Sequence, residues 1–159
     1  MAKKDIDELN YNQLTSFVYN DLAWGPLYRQ KDGDVIINTD NQAAKYIMES
    51  LKIMRISKNK LKKKKVFNIG TGRESRFFAA NGADVTHIDI AKDSVLTLQS
   101  WAKKNKMSVQ SSCQDIANAD IGKNKYDIIF LSGIYQHIKV PAYSLIKFIN
   151  SLKPGGLMY

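Results

Sequence analysis

A single cysteine, Cys113, stands among the 159 residues, so no internal disulfide can staple the chain. Long apolar runs are missing too. The longest, such as Ile128–Leu131, are strand-sized and far below the roughly 20 residues of a membrane helix. Lys3 and Lys4 open the chain without an apolar stretch behind them, which gives no secretory signal. These absences set the expectation of a reducing, cytoplasmic location and no membrane partner. With only two histidines and one cysteine there is no cluster at metal-ligand spacing, and no metal is expected. Acidic residues are scarce as well: 15 Asp and Glu face 24 Lys and Arg, a net charge of +9. Most of that excess is local, because Lys58, Lys60 and Lys62–Lys65 carry six of the nine charges. Such a run reads as a solvated connector; the sharper alternative is a patch for RNA or anionic lipid. Nucleic acid is therefore a possible but not a favoured partner.

With 44% apolar and 10% aromatic residues, the chain can fill one core. Residues 5–20 have helical spacing, with Ile6, Leu9, Leu14, Phe17 and Val18 on one face. Trp24-Gly25-Pro26 breaks that pattern, and Lys31–Asp34 reads as a turn. Thr39 and Gln42 have the spacing of a capping box, ahead of a helix with the stripe Ala44, Ile47, Met48 and Leu51. From Val66 onward short apolar runs alternate with helical patterns. Strands are expected at Val66–Ile69, Val85–Asp89, Val109–Cys113, Ile128–Leu131 and, beginning at Leu157, a short fifth. Helices are expected at Ser75–Ala80, after an Asp93 cap, and from Pro141 with Leu145, Ile146, Phe148, Ile149 and Leu152 inward, until Pro154-Gly155-Gly156 stops it. Alternating strands and helices imply βαβ units, hence an α/β, Rossmann-like parallel sheet with helices on both faces. The expected strand order is 3-2-1-4-5, with the fifth at an unpaired edge through which the chain could self-associate.

Two features carry chemistry. Asn68-Ile69-Gly70-Thr71-Gly72 follows the first strand, and glycines there let the backbone turn sharply and approach a ligand. Asp89 ends the second strand, 19 residues after Gly70. A carboxylate at that point can accept hydrogen bonds from both hydroxyls of a ribose. This spacing suits a nicotinamide or an adenosyl cofactor equally well, and Ser75 in place of a third glycine half-fits the dinucleotide fingerprint.

Two further segments separate those readings. Asn68-Ile-Gly-Thr-Gly72, His87-Ile-Asp-Ile90, Tyr126–His137 and Leu152-Lys-Pro-Gly-Gly156, in this order, resemble the class I S-adenosylmethionine-dependent methyltransferases, particularly their small-molecule branch. The resemblance covers residues 66–159 and implies a domain incomplete at its carboxyl end; residues 1–65, read from their own pattern, are a helical extension and a lysine-rich linker ahead of it. It implies S-adenosylmethionine as cofactor, with Asn68, Gly70 and Gly72 around its methionine part. Asp89 would then hold the ribose, Ile90 would pack on the adenine, and Asp115 and Ile116 would meet the amino edge and face of that ring. Ser132 and Gly133 would line the cofactor and substrate side. It departs from the family at position 68, where an acidic residue is usual, and at Glu74, where a third glycine is usual.

His137, just past the fourth strand, is the acid–base candidate for catalysis; an orienting surface histidine is the alternative. His87, inside the second strand, reads as structural. Tyr11, Tyr19, Trp24 and Tyr28 are candidates for an aromatic lid or for ordinary helix packing. The expected function is methyl transfer to an unidentified small molecule. A truncated or degenerate domain without catalytic activity and a nucleic-acid methyltransferase are the alternatives, and a nicotinamide oxidoreductase is the remaining rival.

Overall fold

The computed structural model describes residues 40–159 and, ahead of them, Asn10, Gln13, Leu14, Ser16 and Val18. Most of the expected first helix, the turn at Lys31–Asp34, the Thr39–Gln42 cap and the four lid aromatics lie outside the described residues. Leu14 and Val18, expected on an apolar face, are exposed.

Five strands form one parallel sheet, as the alternating pattern implied, and their order is the expected β3-β2-β1-β4-β5. They are β1 (Lys65–Ile69), β2 (Asp84–Asp89), β3 (Val109–Cys113), β4 (Tyr126–Phe130) and β5 (Leu152–Met158). The helices are α1 (Asp40–Ile53), α2 (Arg73–Ala80), α3 (Lys92–Asn105) and α4 (Pro141–Ser151). The last four residues of β1 are all buried, as a central parallel strand with both faces covered requires.

Strand periodicity divides the core in two. Val66, Val85, Ile128 and Phe130 point to one face, where Ile47 and Leu51 of α1 and Phe78 of α2 cover them. Phe67, Ile88 and Ile129 point to the other, under Phe148 of α4. Each fully buried side chain of this size contributes roughly 1.5–3 kcal/mol of transfer free energy. Leu61, from a 3-10 turn over Lys58–Leu61 within the lysine run, is buried in the first of these clusters.

Three local expectations need correction. The fifth strand is not a stub beginning at Leu157: it runs over Leu152–Met158, straight out of α4. The Pro-Gly-Gly stretch forms an irregularity in its register against β4, between Tyr126 and Ile128. There Gly155 takes φ +74°, and a Cβ on Gly156 would lie 2.9 Å from the Lys153 carbonyl oxygen and 3.0 Å from that of Tyr126. Glycines here fold a bulge rather than end an element. On α4, Ile146 and Ile149 are exposed, because the buried stripe is Ser144, Phe148 and Ser151. Finally, the N-cap of α3 is Ala91, with Asp93 inside the first turn and no side-chain cap there. Because all five strands are parallel, every strand-to-helix turn opens at one edge of the sheet, where such sheets bind ligands.

Candidate functional site

The turn after β1 is built from positive-φ glycine. Gly70 has φ +125°, and a Cβ placed on it would meet nothing within 4 Å, so its outer side faces open space. Gly72, at φ +83°, starts α2 and sits 3.5 Å from Leu98 of α3 when given a Cβ. The first glycine thus leaves room for a ligand and the second lets two helices close beneath it. Ser94 of α3 donates to the Gly70 carbonyl at 3.1 Å and fixes the turn from below.

Asn68 does not face that open space. It is 0% exposed, its Nδ2 donates to the Phe130 carbonyl at 2.9 Å, and its Oδ1 accepts from Ser75 Oγ at 2.8 Å. The Ser75 hydroxyl, its one proton given to Asn68, lies 3.0 Å from His87 Nδ1. That arrangement requires His87 to carry its proton on Nδ1 and donate to Ser75. Burial lowers the His87 pKa to about 4, which keeps the ring neutral. Asn68, Ser75 and His87 thus tie β1, β2, β4 and α2 together under the glycine turn. Glu74 is buried, with Arg73 Nη2 3.7 Å from its carboxylate.

Asp89 lies at the end of β2, half-buried, and accepts the Ala91 N–H at 2.8 Å. Burial raises its pKa from 3.8 to about 6, outweighing the backbone hydrogen bonds from Ala91 and Ile90 that favour the charged form. A carboxylate held with an energetic deficit at an open edge gains from any ligand that supplies donors. Ile90 follows it, half-buried, and its carbonyl accepts from Ser16 Oγ at 3.2 Å. Ser16 therefore reaches this rim.

Asp115 is half-buried after β3 and accepts the Ala117 N–H at 2.9 Å, while Ile116 turns inward and is buried in the α4-side core. Past β4, Ser132 donates to the Tyr46 hydroxyl at 3.1 Å, and Tyr46 donates to the Tyr159 hydroxyl at 3.2 Å. Gly133 has φ +64°, with open space around it. His137 is exposed, in a short 3-10 turn over Tyr135–His137.

Gly70, Asp89, Ile90, Asp115, Ser132 and Gly133 thus share the carboxyl edge of the sheet, with Asn68 and Ile116 packed beneath it. Sequence reading passed over Ser94 and Tyr46. A serine in the first turn of a helix and a tyrosine on an amphipathic helix carry no signal of their own; only the packing of α3 and α1 brings them to the edge. The arrangement suits an adenosyl group: an acceptor for vicinal hydroxyls, an apolar side chain next to it in the chain and an uncrowded glycine turn at the same edge. Among the described residues no group of His, Cys, Asp and Glu could hold a metal ion, and no helix is long and apolar enough to cross a membrane.

Residues 67–156 match a family model described as a methyltransferase domain. A ubiquinone biosynthesis O-methyltransferase of Coxiella burnetii is 24% identical over 159 residues, which cover 97% of this chain and 63% of that protein. The chain therefore spans less than two thirds of that relative's length. Among solved structures, an S-adenosylmethionine-dependent methyltransferase from Aquifex aeolicus superposes with a TM-score of 0.53 at 20% identity, over 59% of this chain and 54% of that one. A putative sarcosine dimethylglycine methyltransferase from Galdieria sulphuraria gives a TM-score of 0.59 at 18% identity, over 77% and 44%. At these identities the likeness to the two structures is one of fold.

Proposed function

This chain belongs to the methyltransferase-domain family, and from that premise we propose that it binds S-adenosylmethionine at the carboxyl edge of its sheet and moves the methyl group to a small molecule. The observation that carries the proposal is the half-buried Asp89 carboxylate, raised to a pKa of about 6, at the same edge as a glycine turn with open space above Gly70. When bound, the cofactor supplies an electrophilic methyl group on a sulfonium; the protein must align it with a nucleophile.

In this reading Asp89 accepts the two ribose hydroxyls, and Ile90 and Asp115 flank the adenine. Gly70 gives the methionine part a surface without a Cβ, and Ser132 and Gly133 bound the acceptor side. Asn68 acts from beneath, holding the turn in shape through Phe130 and Ser75. His137, exposed just past β4, would in this reading take a proton from the acceptor as it is methylated. The curated relative is named an O-methyltransferase, which supports an oxygen nucleophile.

Isothermal titration with S-adenosylmethionine and S-adenosylhomocysteine tests the proposal. One-to-one binding of both, weakened in Asp89→Ala, is the expected result. No heat with either ligand from a folded protein would leave a non-catalytic domain of the same family. Binding of NADH in their place would restore the oxidoreductase reading.

A further inference from the structure

The charge on this protein is sorted by edge. Backbone hydrogen bonds from Lys63 to Gly82, Asp84 to Lys64, Val85 to Ser108 and Lys125 to Ser151 align the segments entering the strands along the amino edge of the sheet. Exposed lysines crowd there: Lys58, Lys60 and Lys62 ahead of β1, Lys103 and Lys104 on the way into β3, and Lys125 at the start of β4. Two acids lie among them: Asp84, exposed at the start of β2 and outnumbered by these lysines, and Asp127, already committed to Lys153 at 2.8 Å and Lys64 at 3.3 Å. The carboxyl edge is mixed by contrast, with Asp89, Asp93 and Asp115 set against Arg73, Lys92 and Lys139.

The amino edge is also broad. Four strand spacings of about 4.8 Å make it roughly 19 Å wide from β3 to β5. Ile53, the last residue of α1, is 72% exposed beside Lys52 and Arg55. It belongs to this edge because Leu51 and Leu61 pack together against Val66 and Val85, near the starts of β1 and β2. The exposed aromatics among the described residues lie elsewhere: Tyr46 by Ser132, Tyr135 past β4, and Tyr143 in the first turn of α4.

We propose that the amino edge docks on an anionic lipid surface, with the carboxyl edge and its site turned toward water. Wide, lysine-rich and carrying one aliphatic side chain, it has the chemistry of a peripheral membrane contact. Single-stranded nucleic acid is held by grooves with stacking aromatics, which this edge lacks among the described residues. The polyanion is not the methyl acceptor either, because the strands separate this edge from the glycine turn by well over 10 Å, about a Debye length. That no helix among the described residues spans a bilayer does not bear on a contact of this kind.

Co-sedimentation with phosphatidylcholine vesicles, and with vesicles that also contain phosphatidylglycerol, tests the proposal on the full chain. Binding should require the anionic lipid and weaken as salt is added. Two variants removed from each other in sequence, Lys58→Gln/Lys60→Gln/Lys62→Gln and Lys103→Gln/Lys104→Gln/Lys125→Gln, should each lower binding at low salt by on the order of a hundredfold, about fivefold per lysine. Lys139→Gln, at the opposite edge, should leave it unchanged. Circular dichroism of each variant establishes that it is folded. Equal binding to neutral vesicles, insensitivity to either triple variant, or retention of single-stranded RNA without retention of anionic vesicles would overturn the proposal.

Discussion

Substituting Asp89→Asn keeps the size of the side chain and the oxygen that accepts the Ala91 N–H at 2.8 Å, while removing the charge. Burial raises the pKa of this carboxyl from 3.8 to about 6, so the fold prefers its neutral form. Stability from a raised acid is present below the unfolded pKa, near 4, and is lost as pH rises through the folded one, near 6. Two pKa units correspond to about 3 kcal/mol, an upper bound for a group that is partly solvated. Asp89→Asn should therefore be more stable than the parent at pH 7, by up to ~3 kcal/mol, and no more stable at pH 4. Cofactor affinity should move the other way. Loss of hydrogen bonds to a charged group costs roughly 1.5–3 kcal/mol, or about 10- to 150-fold in the dissociation constant. Asp89→Ala should bind as weakly but gain less stability, since it also loses the bond to Ala91. Urea denaturation at the two pH values and calorimetry with S-adenosylhomocysteine measure both effects. An asparagine variant that is less stable at pH 7, or that binds like the parent, would refute the assignment of Asp89.

Three other substitutions probe the neighbourhood. His137→Ala should leave S-adenosylhomocysteine affinity within the ~0.5 kcal/mol scatter of surface changes, and a larger loss by calorimetry would place the imidazole on the cofactor. Ser75→Ala strands Asn68 Oδ1 and His87 Nδ1 in the core, and should cost about 1–3 kcal/mol in chemical denaturation. Gly156→Ala drives a Cβ to 2.9 Å from the Lys153 carbonyl oxygen and should destabilise by about 1–3 kcal/mol, with faster amide exchange along β5 than in the parent.

The sheet was legible because its signals are local. Val66–Ile69 and Ile128–Leu131 are apolar runs too short for helices, and each is followed by turn residues, so strand type and parallel pairing followed from alternation, while the strand order rested on the family resemblance. The boundaries that failed depended on packing. Pro154-Gly155-Gly156 has the composition of a stop, yet pairing with β4 absorbs it as a bulge. The apolar stripe of α4 misled for a similar reason: Ser144 and Ser151 are buried beside Phe148, which leaves Ile146 and Ile149 outside. At the carboxyl edge, the positions of Gly70 and Asp89 were legible because β-strand ends and glycine turns leave a spacing in the sequence. The inward turn of Asn68 could not, since its partners Phe130 and Ser75 meet it only across the folded sheet.

Amide chemical shifts of the isotopically labelled chain, followed while S-adenosylhomocysteine is added, test the placement of the cofactor most directly. Saturable shifts should cluster at Gly70, Gly72, Asp89, Ile90, Asp115 and Gly133, with Lys62–Lys65 at the opposite edge unmoved. Shifts confined to the amino edge, or none at ligand concentrations that saturate related methyltransferases, would contradict it.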